Sequence, residues 1–311
     1  MASRAATGNK PESARKREPF HFSYAMAAPE PTITAGEYII HHLTQWTNAP
    51  RAGVIDFHVV DLDSLIMTLL LGALACFVLW RVARGMTSGV PGRMQAAVEF
   101  LAEFVDEQAR GIVRNAKSRE FVTPLAFIAF IWIVMMNAMD LLPVDLLPRL
   151  WEGAAAATGH DPQHAYLRVV ATADLSVALG MSITVLLLSL YYGIRVKGLG
   201  GWLHELFTAP FGNHPLLWPL NFAMQLLEYL AKTLSHGMRL FGNLYAEEIL
   251  FMIIALMGAA GLSSLSGWAL FVGNVAAGLA WSIFSMLIIV LQGFIFMMLT
   301  LVYIGQAHDH H

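Results

Sequence analysis

Arg239 lies in the middle of a long apolar run, inside the stretch QLLEYLAKTLSHGMRLFGNLYAEE that spans Gln225 to Glu248. An arginine keeps its proton in a protein, and a fixed charge near the centre of a bilayer is costly. A charge of that cost points to a function. On a helix that advances roughly 100° per residue, Gln225, Glu228, Lys232, Ser235, Arg239 and Asn243 fall on one narrow face, a polar seam. Glu248 points the opposite way and Glu247 to the side. Glu248 lies about 13 Å beyond Arg239 along the axis at about 1.5 Å per residue, so ionisable groups sit at two depths, as an ion path requires.

The elements that must hold this seam are those of a membrane protein. Of the 311 residues, 57% are hydrophobic and 13% charged, and the mean hydropathy is +0.57, outside the range of soluble globular domains. The formal net charge of −3 leaves no basic stripe for nucleic acid. Cys76 is the one cysteine, so there is neither an intrachain disulfide nor a cysteine-based metal site. His41 and His42 read as surface histidines rather than metal ligands. No Walker A loop, dinucleotide fingerprint, zincin helix or nucleophile elbow occurs, and no cofactor is expected.

Taken in order, residues 1–30 are polar and aperiodic and are expected to be disordered ahead of a single polytopic membrane domain over 31–311. Residues from Ile33 to Trp46 suit a short interfacial helix. A first span is expected over Leu62–Trp80, stopped by Arg81 and Arg84. An amphipathic surface helix follows over Pro91–Lys117. A second span covers Phe121–Leu142, closed by the tandem DLLP of Asp140 to Pro148, whose aspartates read as helix ends. Pro143–Arg168 reads as a polar loop, and a third span runs over Ala171–Ile194 before a glycine-rich turn at Gly198–Gly201. Arg168 and Asp174 read as a loop-fixing pair, and Glu228 and Lys232 as an i,i+4 salt bridge.

The last third differs. One helical pattern reaches from beyond Pro219 to about Met257, and a second from Trp268 to Gln306. Each is on the order of 60 Å long against a hydrocarbon core of about 30 Å, so the pair is expected to lie steeply tilted. On the second helix Asn274, Gly278, Ser285 and Gln292 share a face, with Gln292 near the level of Arg239. The fold class is therefore an all-α integral membrane protein of upright spans, a surface helix and a tilted C-terminal hairpin. Lysine and arginine crowd the loop after the first span and the end of the third, which makes that side cytoplasmic, with the N-terminus outside and the C-terminus inside. The basic residues before Met26 conflict with an outside N-terminus, so Met26 is expected to be the true start.

Five separated segments, GEYIIHHL, SGVPGRMQ, NAMDLLPVDLLP, MRLFGNLYAEE and FIFMMLTLVYI, make the chain resemble subunit a of the bacterial F-type ATP synthase over about Thr34 to Tyr303. The resemblance implies a non-catalytic stator in the bacterial inner membrane. Its partners would be the c-subunit ring, peripheral-stalk b subunits, the rest of the ATP synthase complex and membrane lipid. Arg239 matches the family's essential arginine, which draws protons off the ring carboxylates between two offset half-channels. Asn243, Glu248 and Gln292 match channel-lining positions. Three positions depart from the family pattern: Gln225 often holds glutamate, Glu247 glycine and Ser285 histidine in relatives. Glu247 is thus expected to replace the missing histidine, since it and Glu248 repel one another and one of them can exchange protons near neutral pH. The alternative is a stand-alone secondary transporter that binds an anion at Arg239. Such folds carry inverted repeats and broken half-helices, neither of which is visible.

Overall fold

A chain surrounded by hydrocarbon must satisfy its backbone groups internally, and the apolar runs fold accordingly as helices. The computed structural model describes residues 36, 44, 46–49, 58–143, 146–157, 167–212, 214–258 and 264–308. The expectations for the N-terminal tail, for Met26, for His41 and His42, for most of Ile33–Trp46 and for Asp145 lie outside the described residues. Among the described residues seven helices follow in order: α1 Leu62–Arg84, α2 Arg93–Ile112, α3 Ala116–Ala138, α4 Leu146–Ala157, α5 Leu175–Thr208, α6 Trp218–Gly258 and α7 Leu265–Gln306. Five of them, α1, α3, α5, α6 and α7, are long and apolar enough to cross a membrane. The chain is an all-α integral membrane protein, with no strand among the described residues beyond the bridge of Thr47 to Asp61.

Capping explains where the boundaries differ from expectation. The Asn115 side chain accepts from the Lys117 and Ser118 amides at 3.0 and 3.4 Å, so α3 starts five residues before the apolar run does. Asp174 accepts from the Ser176 amide at 2.9 Å and starts α5. Pro143–Arg168 is not only a polar loop, because its leucine- and alanine-rich part forms α4. Pro148, expected to end a helix, sits in the first turn of α4, where its missing N–H is no loss. The expected turn at Gly198–Gly201 narrows to one residue. Gly198 alone leaves the helical region, with φ of +72°, and α5 continues beyond it. Lys197 and Glu205 bracket that bend and pair at 2.6 Å.

α2 keeps Glu103 and Arg110 exposed and buries Val105 and Ala109 against Val122 and Ala126 of α3 and Leu301 and Ile304 of α7. A second cluster joins Leu71, Ile133, Met136, Val185, Leu240 and Phe296, and so ties α1, α3, α5, α6 and α7 together. Lipid supplies no hydrophobic drive between helices, so small residues permit the close approaches. A Cβ at Gly237 of α6 would stand 2.8 Å from the Leu179 side chain and 3.2 Å from the Ala178 carbonyl on α5; one at Gly293 of α7 would stand 2.6 Å from Val134 of α3. These two contacts set where α6 and α7 sit against the other spans. The hairpin helices run 41 and 42 residues, which the sequence pattern anticipates within three residues at each end.

Candidate functional site

α6 runs without a break from Trp218 to Gly258, so its polar residues keep the spacing their helical angles imply. Arg239 is half-buried near the middle. None of the ion pairs among the described residues includes it, and Glu228, its nearest candidate partner along the seam, is held by Lys232 at 2.6 Å instead. The Gln292 amide of α7 donates to the Arg239 carbonyl at 2.9 Å, and the Asn243 amide donates to the Gln292 side-chain oxygen at 3.1 Å. Gln292 thus locks the helix turn that carries the arginine and leaves the guanidinium free of any bond to α7. Around it the exposed face of the hairpin is apolar, with Leu230, Leu234 and Met238 of α6 and Leu279, Ile283 and Leu287 of α7. Apolar exposure is ordinary in lipid, whereas an arginine in the same face is not.

Toward the start of α6, Gln225, Glu228 and Lys232 line a cavity of about 520 Å³ together with Lys197 and Glu205 of α5 and Tyr303 and Gln306 of α7. Lys232 also donates to Gln306 at 2.9 Å. With both signs of charge on its wall, this space suits water and ions rather than an apolar ligand. Ser182 and Ser189 of α5 face it too, donating to the carbonyls of Thr233 at 2.6 Å and Tyr303 at 2.9 Å.

Toward the other end of α6, the two adjacent glutamates part company. Glu247 is 2% exposed, with neither carboxylate oxygen hydrogen-bonded. Ser285 of α7 stands beside it, its buried hydroxyl short of an ordinary hydrogen bond. Glu248 turns away from α7 and pairs with Arg168 at 2.6 Å. Neighbouring helix positions differ by about 100°, which sends Glu247 toward α7 and Glu248 toward the segment before α5. The expected pair of Arg168 with Asp174 is corrected, since Asp174 caps α5 while the guanidinium reaches α6. The Asn274, Gly278, Ser285 and Gln292 face of α7 meets α6: the Asn274 amide donates to the Ile254 carbonyl, and Gly278 abuts Ile254.

Three further residues belong here that sequence reasoning passed over. Asp140 does close α3 as expected, but it is 6% exposed and lies within electrostatic reach of Glu247 and Glu248. A small cavity of about 40 Å³ separates it from Glu248, enough for a water. His236, one turn before Arg239, is 2% exposed and stands edge-on to Phe296 with 4.0 Å between centroids, neither ring nitrogen hydrogen-bonded. A histidine on the buried side of the same apolar run was the available signal. For Arg168 no signal existed, because its partner is 80 residues away.

The family model for the ATP synthase A chain matches residues 65–305. The ATP synthase subunit a of Paracidovorax citrulli is 57% identical over 292 residues, which cover 92% of this chain and all of the relative. That of Acidovorax sp. strain JS42 is 58% identical over the same shares. The protein of the same name from Psychrobacter cryohalolentis is 44% identical over 88% of this chain and 96% of its own.

Proposed function

The chain belongs to the ATP synthase A chain family, and from that premise we propose that it is the stator through which protons reach and leave a rotating ring of c subunits in the bacterial inner membrane. The observation that carries the reading is Arg239, a permanent cation unpaired by any described carboxylate, half-exposed on the apolar face of α6 between a polar cavity and a group of buried carboxylates. A ring carboxylate passing that face would lose its proton to reach the guanidinium as an anion, and would regain one on leaving it. Lysine would serve poorly there, because a desolvated ammonium can shed its proton.

The inner half-channel is assigned to the cavity bordered by Gln225, Glu228 and Lys232. The outer one is assigned to Glu247, Glu248, Ser285, Asn243 and Gln292. Lys232 precedes Arg239 by about 10 Å along the helix and Glu247 follows it by about 12 Å, so neither path runs past the arginine to the other. The fixed positive charge between them repels a proton that would cross directly. Rotation of the ring then becomes the route from one path to the other. The chain itself performs no bond chemistry on nucleotide. Its partners in this reading are the c ring on the α6–α7 face, the peripheral-stalk b subunits and lipid, with the N-terminus outside and the C-terminus in the cytoplasm.

The test is ATP-driven proton pumping in inverted membrane vesicles that carry assembled complex. Arg239→Ala is expected to abolish pumping and proton-driven ATP synthesis without loss of assembly, and Arg239→Lys to recover little. Substantial coupled pumping by the lysine variant contradicts the assigned role.

A further inference from the structure

Lys117 and Arg195 stand at the same end of the bundle. α3 enters its apolar run at Phe121, shortly after Lys117, and α5 leaves its own at Ile194, just before Arg195. Both cations therefore sit where hydrocarbon gives way to lipid headgroups, on one side of the membrane. Between them lies a cavity of about 610 Å³, walled by Lys117, Glu120 and Phe121 of α3 and by Tyr191 and Arg195 of α5. Its inner wall is Ser118 and Tyr192, both buried. A third helix fixes that wall. Just past the end of α7, His308 donates through Nδ1 to the Ile304 carbonyl at 2.7 Å, while its Nε2 lies 2.8 Å from the Ser118 hydroxyl. The same ring packs on Tyr192 with 5.5 Å between centroids.

The charges on this cavity are uncommitted where others nearby are not. Lys197 is held by Glu205 and Arg110 by Asp106, whereas Lys117, Arg195 and Glu120 enter none of the ion pairs among the described residues. Arg195 gives one nitrogen to the Tyr191 hydroxyl at 2.9 Å and keeps its other N–H groups. On the lipid side Phe121 and Tyr191 are exposed. Two cations, one carboxylate and an aromatic edge match a molecule with a phosphate, an ammonium and hydrocarbon chains. We propose that this cavity holds the headgroup of phosphatidylethanolamine, with the phosphodiester between Lys117 and Arg195, the ammonium at Glu120 and the acyl chains along Phe121 and Tyr191. Free phosphate would use neither the aromatic edge nor Glu120. A choline headgroup has no N–H for that carboxylate, and a glycerol headgroup has no cation for it. The bound lipid would tie the start of α3 to the end of α5 and, through Ser118 and His308, to the end of α7.

The experiment labels the whole purified complex with a phosphatidylethanolamine that carries a photoreactive group on its acyl chain and a free headgroup amine. Mass spectrometry then locates the modified residues, expected within 115–121 and 190–196. Unlabelled phosphatidylethanolamine should suppress that labelling at about one tenth the concentration needed of phosphatidylglycerol or phosphatidylcholine, the difference one charge-assisted hydrogen bond makes. Lys117→Gln with Arg195→Gln should lower labelling there about tenfold or more, while Lys117→Arg with Arg195→Lys keeps it. Glu120→Gln should keep the labelling but abolish the advantage over phosphatidylglycerol. Equal competition by the three lipids overturns the proposal, as does unchanged labelling of the doubly neutralised variant. The competition on the wild-type complex needs no variant, so it decides the matter even where the double variant fails to assemble. A photoreactive phenylalanine analogue in place of Tyr191 gives a further arm in native membranes: crosslinks to phospholipid support the site, and crosslinks to another subunit in place of lipid overturn it.

Discussion

At the scale of single residues, the polar groups along α6 are not equivalent, although the sequence writes them as one seam. Gln292 and Asn243 are tied to each other and to the Arg239 carbonyl, so they act on the arginine's placement. Glu247 has no such tie. It is buried beside Ser285, and in the function proposed above it stands in for the ionisable side chain that the resemblance leads one to expect on α7. Glu247→Gly is therefore expected to cripple proton pumping, and Glu247→Gly with Ser285→His to restore part of it, because the titratable group is returned from the facing helix. Near-normal pumping by Glu247→Gly alone would show that the carboxylate is a bystander.

At the scale of elements, the position of the arginine depends on how closely α6 and α7 approach the other spans. Gly237 and Gly293 allow it: a methyl at either place would collide with a neighbour at 2.8 or 2.6 Å. At Gly237 a backbone carbonyl that cannot swing aside adds to the crowding, at 3.2 Å. Valine at each position is expected to destabilise the subunit by roughly 1–3 kcal/mol, the usual size of overpacking. Thermal unfolding of the detergent-solubilised complex should report it as subunit loss at lower temperature. By contrast, a Cβ at Gly180 of α5 would meet open space, so Gly180→Val is the matched control and should lower the temperature of subunit loss far less. Equal behaviour of the three variants would mean that the close approaches do not hold the hairpin.

At the scale of the whole molecule, the two half-channels proposed above are expected to be reachable from opposite sides. Cys76 is exposed and the only cysteine, so Cys76→Ser provides a clean background for single cysteines. Cysteine in place of Lys232, on the wall of the larger cavity, should react with a membrane-impermeant thiol reagent added from the cytoplasmic side. Cysteine in place of Ser285, beside Glu247, should react from the outer side only. Labelling of both from one side would refute the proposed offset between two half-channels.

Much of this was legible in the sequence for a physical reason. Hydropathy and helical periodicity are local, and a bilayer forces apolar runs into helices, so five spans, a polar surface helix and an outsized hairpin follow from the chain alone. The spacing of Gln225, Lys232, Arg239 and Asn243 on one face follows in the same way, since an unbroken helix preserves angles. Helix caps were less legible: Asn115 and Asp174 begin α3 and α5 through side-chain bonds that hydropathy does not register. What only the tertiary structure decided was which charges meet. Arg168 has Asp174 six residues away and pairs instead with Glu248, 80 residues on, because Glu248 projects from α6 toward it, on the side away from α7, while Asp174 turns one oxygen to the Ser176 amide at the start of α5. Asp140 looks like a helix end in sequence and is one, yet burial beside two glutamates makes it part of the site. Pairing of buried charges depends on distance and desolvation in three dimensions, and neither is written in the order of residues along the chain.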